Sequence, residues 1–209
     1  MICPGLNATL EGEGREFTQS HPDRYRRIAR RLQSGRVAAV LRTANPCLDY
    51  GRYGRQALDR LRRVIGYGLD HAGAICGDAR PELCLMGFSA GAGAVAALAS
   101  EFQPKRMLLV APSGDVGPQH IIGGLKDYAG ELLLMVGEED EVVGRDAACL
   151  FDELSPAVGR KQVLFVPGCD HCFTGDDHDV LLEETAFRAF RGGDILAPVP
   201  TSRRGDPAS

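Results

Sequence analysis

What most constrains this chain is a series of short, continuously apolar runs, each separated from the next by a segment of helical spacing. The runs are "RVAAVLRT" (36–43), "ELCLMGF" (82–88), "RMLLVAPSG" (106–114), "ELLLMVGEED" (131–140) and "QVLFVPGCD" (162–170). A strand with one wet face alternates apolar and polar residues. These runs do not alternate, so both of their faces must be covered. Between them, residues 20–33 place Tyr25, Ile28, Ala29 and Leu32 on one helix face, with Ser20 as a cap, Pro22 in the first turn and Gly35 as the stop. Residues 54–71 repeat the pattern through Leu58, Leu61 and Ile65, and a small-residue helix follows Ser89. Further helices are expected near 145–154 and 179–191, the last with Val180, Leu181, Ala186, Phe187 and Phe190 on its apolar side. Strands alternating with helices predict an α/β fold: a mostly parallel, doubly wound sheet with helices on both faces. Its binding crevice should lie at the C-terminal ends of the strands.

The 209 residues suit one domain, expected over 1–193, with the Pro-rich, polar 194–209 as a frayed tail. A net charge of −4 favours neither nucleic acid nor an anionic membrane as a partner. Arginines crowd residues 24–63 and acids 138–184, and the arginines are read as the solvated faces of two helices in preference to a phosphate-binding patch. No apolar run approaches the roughly eighteen residues of a membrane span, and no export signal is visible, so a cytoplasmic protein is expected. In that setting the seven cysteines are reduced thiols, with Cys3 and Cys84 behaving as buried hydrophobes.

The chemistry-bearing stretch is Gly87-Phe88-Ser89-Ala90-Gly91. With 8 serines and 26 glycines, composition alone supplies about 0.1 chance matches to Gly-x-Ser-x-Gly, so context must decide. The context is a strand before the serine and a helix after it, as a nucleophile elbow requires. Side chains two positions either side would collide with the neighbouring strand and helix. A serine hydroxyl needs a base to take its proton and an acid to orient that base. Of the five histidines, His171 falls three residues past the strand "QVLFVPG" (162–168), on the same edge as Ser89, and His178 is its competitor. Candidates for the acid are Asp140 in "GEEDE", Glu138 beside it and Asp115 after the preceding strand. Asp140 precedes Val142-Val143, a pair expected to anchor the loop and direct the carboxylate inward. The order Ser89, Asp140, His171 is that of the α/β-hydrolase architecture.

"GFSAGA", "VGEEDEVV" and "PGCDHCFTG" together resemble the elbow, acid loop and histidine loop of small α/β-hydrolases of the dienelactone-hydrolase-like type, over nearly all of residues 1–191. The resemblance implies Ser89 as nucleophile, Asp140 as acid and His171 as base. It further implies an oxyanion hole from the amides of Ala90 and of Leu6 or Asn7, and no cofactor. Dienelactone hydrolases carry cysteine at the elbow, so the serine here points to the esterase-like members. The family places two strands before "MICPGLNAT", which leaves 36–43 as an open edge and implies a homodimer.

The expected activity is therefore hydrolysis of a carboxylic ester, lactone or thioester of small size. The alternative is a non-hydrolytic member of the fold, a cyclase, isomerase or binding protein. With only 113–130 joining two strands there is little room for a lid. Acids near the site (Glu138, Glu139, Glu141, Asp176, Asp177) disfavour polyanionic substrates, with Arg42 and Arg52 as possible offsets. Cys169-x-x-Cys172 has zinc-ligand spacing but no second cluster, so no metal is expected. The sequon Asn7-Ala8-Thr9 and the tripeptide Arg204-Gly205-Asp206 carry no weight.

Overall fold

A computed structural model describes residues 1–6, 24–47 and 49–197. Five parallel strands form one sheet in chain order: β1 (Ile2–Cys3), β2 (Cys84–Phe88), β3 (Arg106–Val110), β4 (Glu131–Gly137) and β5 (Arg160–Val166). The apolar runs become β2 to β5 because successive residues face opposite layers and both layers are dry. In β3, Met107 and Leu109 enter one core while Leu108 and Val110 enter the other. In β4, Leu132 and Leu134 part from Leu133 and Met135 in the same way.

Right-handed crossovers decide which helices cover which face. The steps from β2 to β5 all move in one direction across the sheet. Their helices, α4 (Ala90–Ala97), α6 (Pro118–Lys126) and α7 (Gly144–Glu153), therefore share one face with α2 (Tyr53–Asp70). From β1 the chain goes the opposite way, to residues 36–43 on the edge of β1 away from β2, so α1 (Arg24–Ser34) lies on the other face beside α8 (Asp176–Arg191). The reversal makes the region beside Ser89 a topological switch point, where crevices form. The described residues also form two short helices, α3 (Ala72–Cys76) and α5 (Ala99–Phe102), and a 3-10 turn at Tyr50–Arg52.

The helices fall near their expected ranges, and Tyr25, Ile28, Ala29, Leu32, Leu58, Leu61 and Ile65 are all buried. Ser20 and Pro22, the expected cap and first-turn residues of α1, lie outside the described residues. Four details differ from expectation. The connection 113–130 contains α6, which packs on α4. In α8 the inward face is Asp179, Leu182, Thr185, Ala186, Ala189 and Phe190, while Val180 is exposed, because a buried acid occupies a position on that face. Packing continues past residue 193: Ile195 is buried in the α1–α8 core, and its amide donates to Gln162. Residues 198–209 of the expected tail lie outside the described ones.

The fourth difference is at the edge. Residues 36–43 do not form a strand but run beside β1, held by Ile2 N–H to the Leu41 carbonyl (2.9 Å) and Thr43 N–H to the Ile2 carbonyl (3.1 Å). The physical reason is the length of β1: two residues offer no partner to the rest of the segment. Ala38, Ala39 and Val40 make no hydrogen bond with any described residue. Ala38 and Ala39 border an apolar groove of about 370 Å³ shared with Met1, Leu83 and Cys84. An edge with unpaired backbone groups invites a second chain. The outcome expected in light scattering at micromolar concentration is twice the chain mass, and a monomer would leave this edge without the partner it implies.

Candidate active site

At the end of β2 the backbone turns sharply. Ser89 adopts φ 50° and ψ −121°, a conformation that costs a non-glycine residue about 1–3 kcal/mol. It is held there by its own backbone groups. Its N–H donates to the Val110 carbonyl (2.9 Å), and its carbonyl accepts from Ala92 (2.9 Å) and Ser113 (3.2 Å). The flanking glycines are needed for closeness. A Cβ on Gly87 would stand 2.4 Å from the Ala92 Cα, and one on Gly91 would stand 2.2 Å from the Pro4 carbonyl oxygen.

Three loops bring their polar groups to this point. The His171 ring, on the loop after β5, places Nε2 2.9 Å from Ser89 Oγ. Its Nδ1 lies 2.8 Å from Asp140 Oδ2. An ionised carboxylate only accepts, so Nδ1 carries the proton and Nε2 presents its lone pair to the serine hydroxyl. Asp140 Oδ1 accepts from the amides of Val142 and Val143, each at 2.9 Å. Those two residues thus fix Asp140 through their backbone amides, and of the expected apolar anchors Val143 packs against the α1–α8 core while Val142 is 70% exposed. The rival residues are engaged elsewhere. Glu138 pairs with Arg145 at the surface, Asp115 accepts from Tyr50 and Ser113, and the His178 ring bonds to the Thr174 carbonyl.

Burial by itself would raise the Asp140 pKa, but the bonds from His171, Val143 and Val142 outweigh it and hold the carboxyl below its usual range. Ala90 opens α4, where the first amides have no partner within the helix. Leu6 joins Gly5, Tyr25, Phe88 and Val142 around an apolar hollow of about 230 Å³ beside Ser89. Asn7, the other expected oxyanion donor, lies outside the described residues.

The same overall fold occurs in solved structures. An esterase domain from Rhodothermus marinus superposes with a TM-score of 0.63 at 18% identity, over 91% of this chain and 86% of that one. An alpha-beta serine hydrolase homologue from Coxiella burnetii gives 0.58 at 17% identity, over 90% and 84%. A structure of LipS and LipT, metagenome-derived lipolytic enzymes, gives 0.61 at 14% identity, over 91% and 94%. The chain has the α/β-hydrolase fold. No family model and no curated protein sequence matches it.

Within this α/β-hydrolase fold, one residue at the site escaped the sequence reading. Arg24 was counted among the solvated arginines of α1, yet it is 1% exposed. Its Nε donates to Asp179 Oδ1 at 2.7 Å, Nη1 to the Cys172 carbonyl at 2.6 Å and Nη2 to the Phe173 carbonyl at 2.9 Å. It therefore ties α1 and α8 to the loop that carries His171. Its guanidinium also faces the ring of Phe88, whose edge contacts reach His171 and Phe173. The sequence signal was weak, a single acid on the apolar face of α8 facing a basic α1. Among the described residues no group of three His, Cys, Asp or Glu is placed to hold a metal. Among them, too, no helix is long and apolar enough to cross a membrane.

Two outcomes follow from this geometry. Arg24→Met removes the guanidinium donors to the Cys172 and Phe173 carbonyls and one of the cations paired with Asp179, so urea denaturation should show a loss of roughly 2–4 kcal/mol. Asp140 has a lowered pKa in the fold, so its contribution to stability is complete above the ordinary carboxylate pKa. That contribution is lost as pH falls through the lowered folded value. Asp140→Asn should accordingly flatten the acid limb of a stability–pH curve, and an unchanged limb would contradict the assignment.

Proposed function

We propose that the chain is a serine hydrolase acting on a carboxylic ester or thioester through Ser89, His171 and Asp140. The observation that carries this reading is the unbroken chain of hydrogen bonds from Ser89 Oγ through the imidazole to Asp140, placed at a strained elbow. The neighbours described as an esterase, lipolytic enzymes and a serine hydrolase homologue support it at the level of fold.

In the first half-reaction Ser89 Oγ bonds to the carbonyl carbon while its proton passes to His171 Nε2. Asp140 keeps the ring in the productive tautomer and stabilises its positive charge. The carbonyl oxygen gains the electron pair and is met by the amides of Ala90 and Leu6. Such preorganised donors are worth roughly 3 kcal/mol each to the barrier. When the carbonyl re-forms, the bond to the alcohol or thiol breaks, and the leaving atom takes the proton from Nε2. Water then repeats the sequence on the acyl-enzyme: Nε2 accepts its proton, and the acid departs as Ser89 Oγ recovers a hydrogen.

A fluorophosphonate probe tests this directly. The expected result is an adduct located on the Ser89 peptide by mass, absent from Ser89→Ala and strongly slowed in His171→Ala. Turnover of 4-nitrophenyl butyrate should fall by about 10⁴-fold or more in Ser89→Ala. No adduct on a folded wild-type protein would overturn the reading in favour of a binding or non-hydrolytic role.

A further inference from the structure

One hollow reaches Ser89, and a second adjoins it across a hydrogen bond. The apolar one holds His171, Tyr25 and Phe88 in its wall. The other, about 760 Å³, lies beyond the bond from the Tyr50 hydroxyl to Asp115, and both of those residues border both hollows. Its own lining is basic and polar: Arg52, Arg55 and Gln56 at the start of α2, and His120 of α6. Arg55 has no carboxylate partner among the described residues. Among the described residues Arg52 pairs only with the exposed Asp49 at 3.5 Å, a contact of little strength in water. Asp115 is the single acid in this lining, and its two oxygens already accept from the hydroxyls of Tyr50 and Ser113.

The geometry of the reacting carbon assigns the two ends of a substrate to the two hollows. Four groups surround that carbon at the tetrahedral stage. One is Ser89 Oγ, and one is the oxyanion, turned toward Ala90 and Leu6. The leaving atom must lie within reach of His171 Nε2 to receive its proton, so the leaving group occupies the apolar hollow. The acyl chain takes the remaining direction. Leu6 follows β1 on one side of β2, whereas Ser113 and Asp115 follow β3 on the other. Turned away from the oxyanion donors, the chain runs toward Asp115 and the basic hollow behind it. Tyr50, 65% exposed, can swing outward to let it pass.

We propose that the acyl part of the substrate ends in a carboxylate bound by Arg52 and Arg55, which makes the substrate class the monoesters of dicarboxylic acids. This rests on the serine-hydrolase reading above. Opposite charge in a partly enclosed hollow favours the anionic acyl group, and specificity is expressed as a ratio of kcat/KM values.

The test compares 4-nitrophenyl monoesters of glutaric, adipic and pimelic acids with 4-nitrophenyl pentanoate, hexanoate and heptanoate, each rate divided by its rate without enzyme. The leaving group is the same throughout, so the ratio of acid to neutral ester reports the acyl site. Expected at low ionic strength is a ratio of about ten for at least one chain length, decreasing with added salt. It should fall to about one in Arg52→Gln/Arg55→Gln and below one in Arg55→Glu. Loss of folded protein would lower both series equally and leave the ratio unchanged. A wild-type ratio of one or less, or a ratio that the variants do not alter, overturns the inference. Hydrolysis of the neutral esters through Ser89 without preference sinks this inference alone. Hydrolysis of neither series, or hydrolysis that survives Ser89→Ala, removes the serine-hydrolase reading and this inference with it.

Discussion

The close approach of α4 to the end of β2 is possible because Gly87 and Gly91 carry no side chain, and the rest of the site is arranged around that contact. With a Cβ at either position, backbone atoms of α4 or of the loop after β1 would have to move. The contact forces Ser89 into its strained conformation, and the bonds to Val110, Ala92 and Ser113 keep it there. Those bonds come from β3, from α4 and from the loop after β3. The serine's orientation is therefore set by three elements and by no side chain of its own. The sheet supplies the stiffness. Strands buried on both faces leave no room for the turn to relax without opening one of two packed layers.

The histidine loop has its own backbone bonds, Glu139 N–H to the Cys169 carbonyl and Phe173 N–H to the Asp170 carbonyl, and a buried cation holds it further. Arg24 satisfies two loop carbonyls and is itself neutralised by Asp179, which Arg27 also pairs. A buried charge of this kind is costly unless every partner is present. The interaction ties the positions of α1, α8 and the loop to one another. Phe88, one residue before Ser89, lies at the centre of the same cluster, with aromatic contacts to Tyr25, His171 and Phe173. Elbow and histidine loop thus share one wall, so a shift of α8 would be felt at the imidazole.

The surroundings of the site are divided by chemistry. Apolar side chains from the α1–α8 face line the hollow on the histidine side, and basic residues at the start of α2 line the hollow beyond Asp115. The sequence reading weighed Arg42 and Arg52 together as offsets to the acids near the site. The fold separates them: Arg52 enters the second hollow, and Arg42 lies at the sheet edge beside Ile2.

The sequence by itself determined β2 to β5, most of the helices and the order of the loops. Periodicity and the glycines flanking Ser89 are local properties, written within a few residues of where they act. It also narrowed the acid to Asp140, Glu138 or Asp115 and the base to His171 or His178, because only loops after strands can meet at one edge. The tertiary structure decided the rest. Which acid turns inward depends on two amides, of Val142 and Val143, whose direction is set by the turn after β4. That Arg24 is buried depends on Asp179, 155 residues away in sequence. That 36–43 is not a strand depends on how little of β1 stands opposite it. Each of these is a pairing between distant segments, and a pattern read along one segment carries no information about what will be placed against it.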